Sequence, residues 1–305
     1  MAPKHLTSIR DLTAPDVDEV FKLAGSIKSA PEKYRETLSG KSLALIFQTP
    51  STGTRVSFQV GMHQLGGQAL TLSASDLEGT GGVRAVDTAK ALSQYVDGMV
   101  ARTQTHAELV ELTRNSSVPV INGLTDLLHP CQALADYFTL AEKKGDLAGR
   151  KIAYVGAGGT MCHSLIYGAV KTGMHIAVAT PPGSEPKSII VKSANREASA
   201  AGITVVLTQD PKSAIQGSDA VYTDRWSAPG HPVDDARAKV LAPFQITAQL
   251  MAMAKPDAFF MHCLPAERGR EVAADVIDSP QSVVFEQAQN RLHVQKAILC
   301  MLLGA

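Results

Sequence analysis

The 305-residue chain is poor in the features that mark several classes of protein. Its four cysteines, Cys131, Cys162, Cys263 and Cys300, show no CxxC spacing, so neither a zinc site nor a disulfide framework is indicated. No run approaches the roughly 18 apolar residues of a membrane span, and residues 1–10 lack the apolar core of a signal peptide. The 29 basic and 29 acidic residues cancel, so no net charge attracts nucleic acid or a membrane surface. We therefore expect a cytoplasmic protein that acts on small molecules.

What the sequence does contain is a regular alternation of helical segments with short apolar runs. The runs predict strands at 43–47, 68–72, 98–102 and 118–121, and again at 151–155, 175–179, 204–208, 220–222 and 258–261. Short apolar strands between helices are typical of buried parallel sheets, and the chain is longer than one ordinary domain. We predict an α/β fold with two doubly wound parallel-sheet domains linked by long helices. A polar segment at 224–235, broken by proline and glycine, is predicted to be a loop.

The segment Ser51-Thr52-Gly53-Thr54-Arg55 lies between the first predicted strand and a helical stretch. At such a junction the first N–H groups of the helix are unpaired and its dipole favours an anion. The hydroxyl groups add neutral donors, and the arginine adds charge. The segment therefore predicts a phosphate cradle, although a turn rich in serine and threonine can also serve only as a helix cap.

Polar side chains follow several other predicted strands, at the sheet edge where open α/β sheets bind ligands. They are Arg102, Asn122, Asp126, His129-Pro130-Cys131-Gln132, Asp224 and His262-Cys263-Leu264-Pro265. An arginine, a His/Gln pair and a hydroxyl-rich cradle suit a molecule with a phosphate and a polarisable carbonyl. A dehydrogenase is the alternative, but Gly156-Ala157-Gly158-Gly159 has Met161 where a dinucleotide fingerprint needs its third glycine.

The sequence resembles the ornithine carbamoyltransferases in the order and spacing of four motifs. These are the cradle, the His129 motif, the His262 motif and Asn290-Arg291-Leu292-His293. The resemblance covers nearly the whole chain. It implies transfer of a carbamoyl group from carbamoyl phosphate to the amine of an amino-acid-like acceptor, ornithine first, as in arginine biosynthesis, with no metal or organic cofactor. It also implies a homotrimer whose subunits have a carbamoyl-phosphate domain at 1–133, completed by a C-terminal helix at 289–305, and an acceptor domain at 134–288.

The same resemblance implies the site residues. Those for carbamoyl phosphate are Ser51, Thr52, Gly53, Thr54, Arg102, His129, Gln132, Cys263, Leu264 and Arg291, among which Thr54, Arg102, His129 and Cys263 are expected to be catalytic. Those for the acceptor are Thr160, Asp224, Ala228 and Pro229, while Glu78 and Arg84 belong to a loop that reaches a neighbouring subunit's site.

The phosphate side departs from the family's pattern. Gly53 replaces the middle arginine of Ser-Thr-Arg-Thr-Arg, and Gln48-Thr49 replaces a Glu-Lys pair. Each lost charge-assisted contact typically costs roughly 1.5 to 3 kcal/mol. We therefore expect weaker binding of carbamoyl phosphate unless another cation, with Arg84 as the candidate, takes over.

The acceptor side departs as well. Thr160 stands near the place of an asparagine that holds the amino acid, Ala228-Pro229 replaces Ser-Met, and Glu267 replaces a histidine. These changes leave open an acceptor other than ornithine, or a low-activity binding or regulatory paralogue. Arg225 is interpreted as a solvated charge, with recognition of an anionic acceptor as the alternative.

Overall fold

The computed structural model describes residues 4–73, 85–226 and 235–304. The chain divides into two compact units, one formed by residues 1–135 together with 290–305 and the other by residues 136–289. Among the described residues, no helix has both the length and the apolar character needed to cross a membrane.

The first unit contains a four-stranded parallel sheet. Its strands are β1 (Ser42–Phe47), β2 (Gln68–Ser73), β3 (Gly98–Arg102) and β4 (Val120–Leu124), and its helices are α1 (Ala14–Ser29), α2 (Thr52–Gln64), α3 (Ala85–Leu92) and α4 (His106–Asn115). Two short 3₁₀ helices lie at Ile9–Asp11 and Pro31–Tyr34. The strand order is β2-β1-β3-β4, so the chain changes direction across the sheet between β1 and β3. Ligands of open α/β sheets bind at such a switch point.

Local sequence explains where the elements of this unit begin. Thr13 caps α1 in a capping box with Asp16, with a proline in the first turn. β3 is buried along its whole length, because it lies between two neighbouring strands and reads as an apolar run. The strand predicted at 118–121 instead lies at Val120–Leu124. Pro119 explains the late start, since proline has no N–H to donate to a neighbouring strand.

The chain leaves the first unit within α5 (Pro130–Lys144) and enters a five-stranded parallel sheet. The strands are β5 (Lys151–Val155), β6 (His175–Ala179), β7 (Val205–Thr208), β8 (Ala220–Thr223) and β9 (Phe259–His262), in the order β7-β6-β5-β8-β9. The helices are α6 (Thr160–Thr172), α7 (Ser188–Ala200), α8 (Pro211–Ile215), α9 (Asp235–Leu241), α10 (Ala248–Met251) and α11 (Ala274–Ile277), with a 3₁₀ helix at Ala242–Phe244. The switch point of this sheet lies between β5 and β8.

The chain returns to the first unit within α12 (Val284–Leu303). Two parallel sheets with helices between their strands confirm the predicted α/β class. The polar loop predicted at 224–235 is described only at its ends, where Asp235 already begins α9.

Candidate active site

The first candidate site lies at the β1/β3 switch point of the first unit. Phe47 at the end of β1 pairs in register with Arg102 at the end of β3. Beyond β1, Ser51 caps α2: its hydroxyl accepts from the Thr54 N–H at 3.4 Å and donates to Thr54 Oγ1 at 2.9 Å. The expected cap is therefore present. It fixes the start of a 13-residue helix whose dipole favours an anion at Thr52 and Gly53, both near the cap.

Arg291 of α12 lies against this cradle. Its Nη2 donates to Thr54 Oγ1, and its Nη1 donates to Gln132 Oε1 at 3.0 Å. A Cβ atom placed on Gly53 would lie 3.7 Å from the same Nη1. A guanidinium group therefore lies beside the position at which the sequence lacks an arginine.

Arg102 is the second cation of this site. Its Nε donates to Thr49 Oγ1 at 2.9 Å, a contact that the sequence pattern did not indicate. Burial and the nearby charge of Arg291 lower the pKa of Arg102 to about 10. Two guanidinium groups that repel each other in a buried place would both be stabilised by an anion bound between them.

His129 lies in the same electrostatic field. The pKa of its imidazole lies well below the ordinary 6.5. Burial is the largest cause, followed by the positive charges of Arg291 and then Arg102. The ring is therefore neutral at physiological pH, and a neutral imidazole has one N–H that can donate without carrying charge.

The second candidate site lies at the carboxyl ends of β8 and β9 in the second unit. Thr223 pairs in register with His262, so the residues that follow, Asp224 and Cys263, are neighbours. Cys263 Sγ donates to Asp224 Oδ1 at 3.0 Å, and the Arg225 N–H donates to the same oxygen at 2.8 Å. Burial and the carboxylate of Asp224 raise the pKa of the Cys263 thiol well above 9. The group is therefore a neutral donor, not a thiolate nucleophile.

Leu264 follows Cys263 with a strained backbone. Its φ of 51° lies in the left-handed region, which costs roughly 1–2 kcal/mol for a residue with a side chain. Its N–H donates to Nδ1 of the fully buried His262 at 2.9 Å, and the His262 N–H donates to Gln287 Oε1 at 3.0 Å. These bonds hold the peptide of Leu264 in one orientation.

A buried polar network behind this edge was not indicated by the sequence. Asp136 is fully buried and accepts hydrogen bonds from Tyr222 Oη at 2.9 Å and from Gln287 Nε2 at 2.8 Å. No spacing in the sequence relates these three positions, which are brought together only by the fold.

Arg225 and Glu267 form an ion pair between the two loops that carry Asp224 and Cys263. Arg225 Nη2 donates to Glu267 Oε1 at 2.5 Å, and Arg270 Nη1 donates to Glu267 Oε2 at 2.6 Å. About one third of each side chain of the pair is exposed, at 32% and 31%. The interpretation of Arg225 as a solvated charge is therefore wrong.

The remaining predicted residues lie as follows. Thr160 begins α6, whose N-cap Gly159 makes no side-chain capping bond. The second unit contains four of the predicted site residues: Thr160, Asp224, Cys263 and Leu264. The first unit contains the others that the structure describes: Ser51, Thr52, Gly53, Thr54, Arg102, His129, Gln132 and Arg291. Glu78, Arg84, Ala228 and Pro229 lie outside the described residues.

Comparison with known proteins finds two family domains in succession along the chain. The family description "Aspartate/ornithine carbamoyltransferase, carbamoyl-P binding domain" matches residues 4–142, and "Aspartate/ornithine carbamoyltransferase, Asp/Orn binding domain" matches residues 148–302. The ornithine carbamoyltransferase of Carboxydothermus hydrogenoformans is 50% identical over 304 residues, which are 99% of this chain and 98% of that protein.

Solved structures show the same relationship. The ornithine carbamoyltransferase of Pyrococcus furiosus superposes with a TM-score of 0.96 at 46% identity, covering 100% of this chain and 98% of that one. The ornithine transcarbamoylase of Giardia lamblia gives a TM-score of 0.91 at 33% identity, with 99% of each chain covered. The chain therefore belongs to the aspartate/ornithine carbamoyltransferase family.

Proposed function

We propose that the protein is an enzyme that transfers the carbamoyl group of carbamoyl phosphate to the side-chain amine of ornithine, giving citrulline and phosphate. The observation that carries this proposal is the grouping of two guanidinium groups and a neutral histidine at a capped helix start. The names of the relatives support ornithine as acceptor, and one of them, from Pyrococcus furiosus, is named as anabolic. The proposed place of the reaction is arginine biosynthesis in the cytoplasm.

In the proposed mechanism the phosphate binds at the start of α2. The N–H groups of Ser51, Thr52, Gly53 and Thr54, with the hydroxyls of Ser51 and Thr52, donate to its oxygens. Arg291 supplies positive charge from α12, because its guanidinium already contacts Thr54. No step needs a metal ion, since these donors and charges stabilise the leaving phosphate.

The carbamoyl group is polarised by neutral and charged donors together. Arg102, His129 and the Thr54 hydroxyl donate to the carbamoyl oxygen, where negative charge develops. Donors fixed in advance around such an oxygen are worth about 3 kcal/mol each. Gln132 Oε1, already oriented by Arg291, accepts from the carbamoyl nitrogen.

The acceptor enters with its reacting amine neutral. The amine nitrogen attacks the carbamoyl carbon, a tetrahedral intermediate forms, and the bond from carbon to the phosphate oxygen breaks as the phosphate leaves. The proton lost by the amine nitrogen goes to the departing phosphate or to solvent. Cys263 and the backbone of Leu264 contact the reacting amine, and Asp224 binds the far end of the acceptor together with Thr160, Ala228 and Pro229.

The test is formation of citrulline from ornithine and carbamoyl phosphate by the purified protein, with His129→Ala as the inactive control. The proposal fails if saturating substrates give no carbamoylated product. The altered positions Thr160 and Glu267 favour a second candidate, a carbamoyltransferase for another amine or amide. Product from another acceptor but not from ornithine would select that candidate, whereas binding of carbamoyl phosphate without any product would indicate a regulatory paralogue.

We also propose a homotrimer in which a loop carrying Glu78 and Arg84 serves a neighbouring subunit's site. The Glu78→Ala/Arg84→Ala double variant and His129→Ala would each be inactive alone. Refolding the two together would restore part of the activity, because some sites of the mixed trimers combine an intact loop with an intact His129. A mixture as inactive as its components would exclude a shared site, and sedimentation would report the oligomeric state.

A further inference from the structure

A cavity with a polar rim lies at the amino edge of the sheet in the second unit, opposite the edge that carries Asp224 and Cys263. Its volume is about 430 Å³, which is within the range of cavities that hold small molecules. Lys151 and His175, the first residues of β5 and β6, pair in register and both line it. The length of a strand, about 15 Å, separates this edge from the proposed acceptor site.

Lys151 brings to the cavity a positive charge that no carboxylate of the described chain balances. Its ammonium group has three N–H donors and makes one hydrogen bond to the protein, to the Gln216 carbonyl oxygen at 2.9 Å. The buried carboxylate at this edge, Asp219, already pairs with two other cations, Lys255 at 2.9 Å and Arg150 at 3.2 Å. Burial lowers the pKa of Lys151, as expected for an ammonium group that has lost water without gaining a counterion. An anion in the cavity would supply that counterion.

His175 adds a donor whose position on the ring is fixed. Its Nδ1 accepts from the Thr204 N–H at 3.1 Å, so this nitrogen carries no proton and the N–H of the ring is at Nε2. No residue in the described part of the chain accepts from Nε2. The hydroxyl-bearing residues Thr204 and Ser213 complete the polar lining. A cation together with neutral donors suits the two oxygens of a carboxylate.

The rest of the lining offers an apolar surface. Ala177 of β6 is buried, whereas 48% of Val206 of β7 is exposed. These two residues pair in register on parallel strands, so their side chains lie on the same face of the sheet. A hydrocarbon group placed against them would remove apolar area from water, which is worth about 25 cal/mol per Å².

We propose that this cavity binds a small organic carboxylate, with its carboxylate group at Lys151 and His175 and its hydrocarbon part against Ala177 and Val206. The cation favours such a ligand over a neutral molecule, and the exposed valine favours it over inorganic phosphate, which has no apolar part. The site is separate from the proposed catalytic site, and the inference does not depend on the proposed function.

The binding test uses three probes that separate charge from apolar contact. The probe 3-methylbutanoate has both, 3-methylbutanamide has the same hydrocarbon part without the charge, and inorganic phosphate has charge without a hydrocarbon part. Binding is followed by NMR through the methyl resonances of Val206 and the ring resonances of His175, in protein saturated with carbamoyl phosphate. We expect 3-methylbutanoate to shift both sets and to bind about 5-fold or more tightly than either other probe.

Two results of this comparison would overturn the inference. Equal affinity for the acid and the amide, or no shift at Val206 and His175, would mean that Lys151 does not act as a counterion. Phosphate that binds more tightly than 3-methylbutanoate would mean that the apolar surface takes no part. Because the resonances are local, they report on this cavity whether or not the protein forms citrulline.

Variants test the two parts of the site separately. Lys151→Met should weaken 3-methylbutanoate binding by about 5-fold or more, whereas Lys151→Arg, which keeps the charge, should stay within about 3-fold of the wild type. Val206→Thr, which replaces one exposed methyl group by a hydroxyl, should weaken binding by about 3-fold. The matched control is Lys212→Met, since Lys212 is an exposed lysine of α8 that does not line this cavity, and its affinity should equal that of the wild type. Unchanged affinity in both Lys151→Met and Val206→Thr would reject the site.

Discussion

In the proposed phosphate cradle, Gly53 leaves the start of α2 without the arginine of the family's pattern. The position has room for a side chain, since its nearest neighbour beyond the adjoining backbone is Arg291 Nη1 at 3.7 Å. We expect Gly53→Arg to tighten carbamoyl phosphate binding by about 10-fold or more, because it adds a charge-assisted contact. Calorimetry measures the change, and Gly53→Ala should bind like the wild type. Unchanged affinity in the arginine variant would mean that Arg291 already supplies the charge that the phosphate needs.

His129 gives a prediction with a defined pH dependence. Because its pKa in the folded protein is well below 6.5, this histidine takes up a proton on unfolding, and acid therefore favours the unfolded state. The penalty is absent above about pH 6.5 and grows as the pH falls towards the folded pKa. His129→Gln removes it. In urea unfolding at pH 7.5 and pH 5.0, acidification should lower the free energy of unfolding of the wild type by more than that of the variant. Equal losses would contradict the lowered pKa.

Helix packing in the second unit depends on a glycine that lies against an aromatic ring. A Cβ atom on Gly168 of α6 would come within 2.6 Å of Cδ2 of the buried Tyr137 on α5. Alanine favours a helix by about 1 kcal/mol over glycine, but overpacking a core costs about 1–3 kcal/mol, and here the clash is with a rigid ring. We expect Gly168→Ala to lower the free energy of unfolding despite its better helix propensity.

The matched variant is Gly25→Ala in α1. A Cβ atom there would meet nothing within 4 Å, so the change should stabilise the protein by about 0.5–1 kcal/mol. Thermal unfolding of both variants compares the two effects. A stabilised Gly168→Ala protein would show that α5 and α6 adjust freely at this contact.

The elements that the sequence predicted best are the buried strands. β3, β5 and β6 have the predicted bounds, because a strand buried on both faces is a continuous apolar run. The helices α10 and α11 were not predicted, since four residues are too few to show a helical period.

Only part of the candidate site could be predicted from the sequence. Motifs next to strand ends, such as Asp224 and Cys263, could be found because the topology places them at one edge. The contact of Arg291 with the Gly53 cradle and the pairing of Arg225 with Glu267 could not, because tertiary packing alone brings such distant segments together.

The whole molecule carries no net charge at neutral pH. With 29 basic and 29 acidic residues and an isoelectric point near 7.1, repulsion between copies is weakest close to physiological pH. We expect solubility in low salt to pass through a minimum near pH 7 and to rise towards pH 5.5 and pH 9. Light scattering over this range measures the effect, and a flat profile would contradict it.

The first unit is built from two separate stretches of chain, with residues 290–305 following the whole of the second unit. Proteins are synthesised from the N-terminus and their domains begin to fold as they are made. A ribosome therefore finishes the second unit before it adds Arg291, so the proposed phosphate cradle lacks this cation throughout that period. If carbamoyl phosphate binds as proposed, it stabilises the first unit fully only after those residues have been added, which makes substrate an aid to the last stage of folding and not to the first.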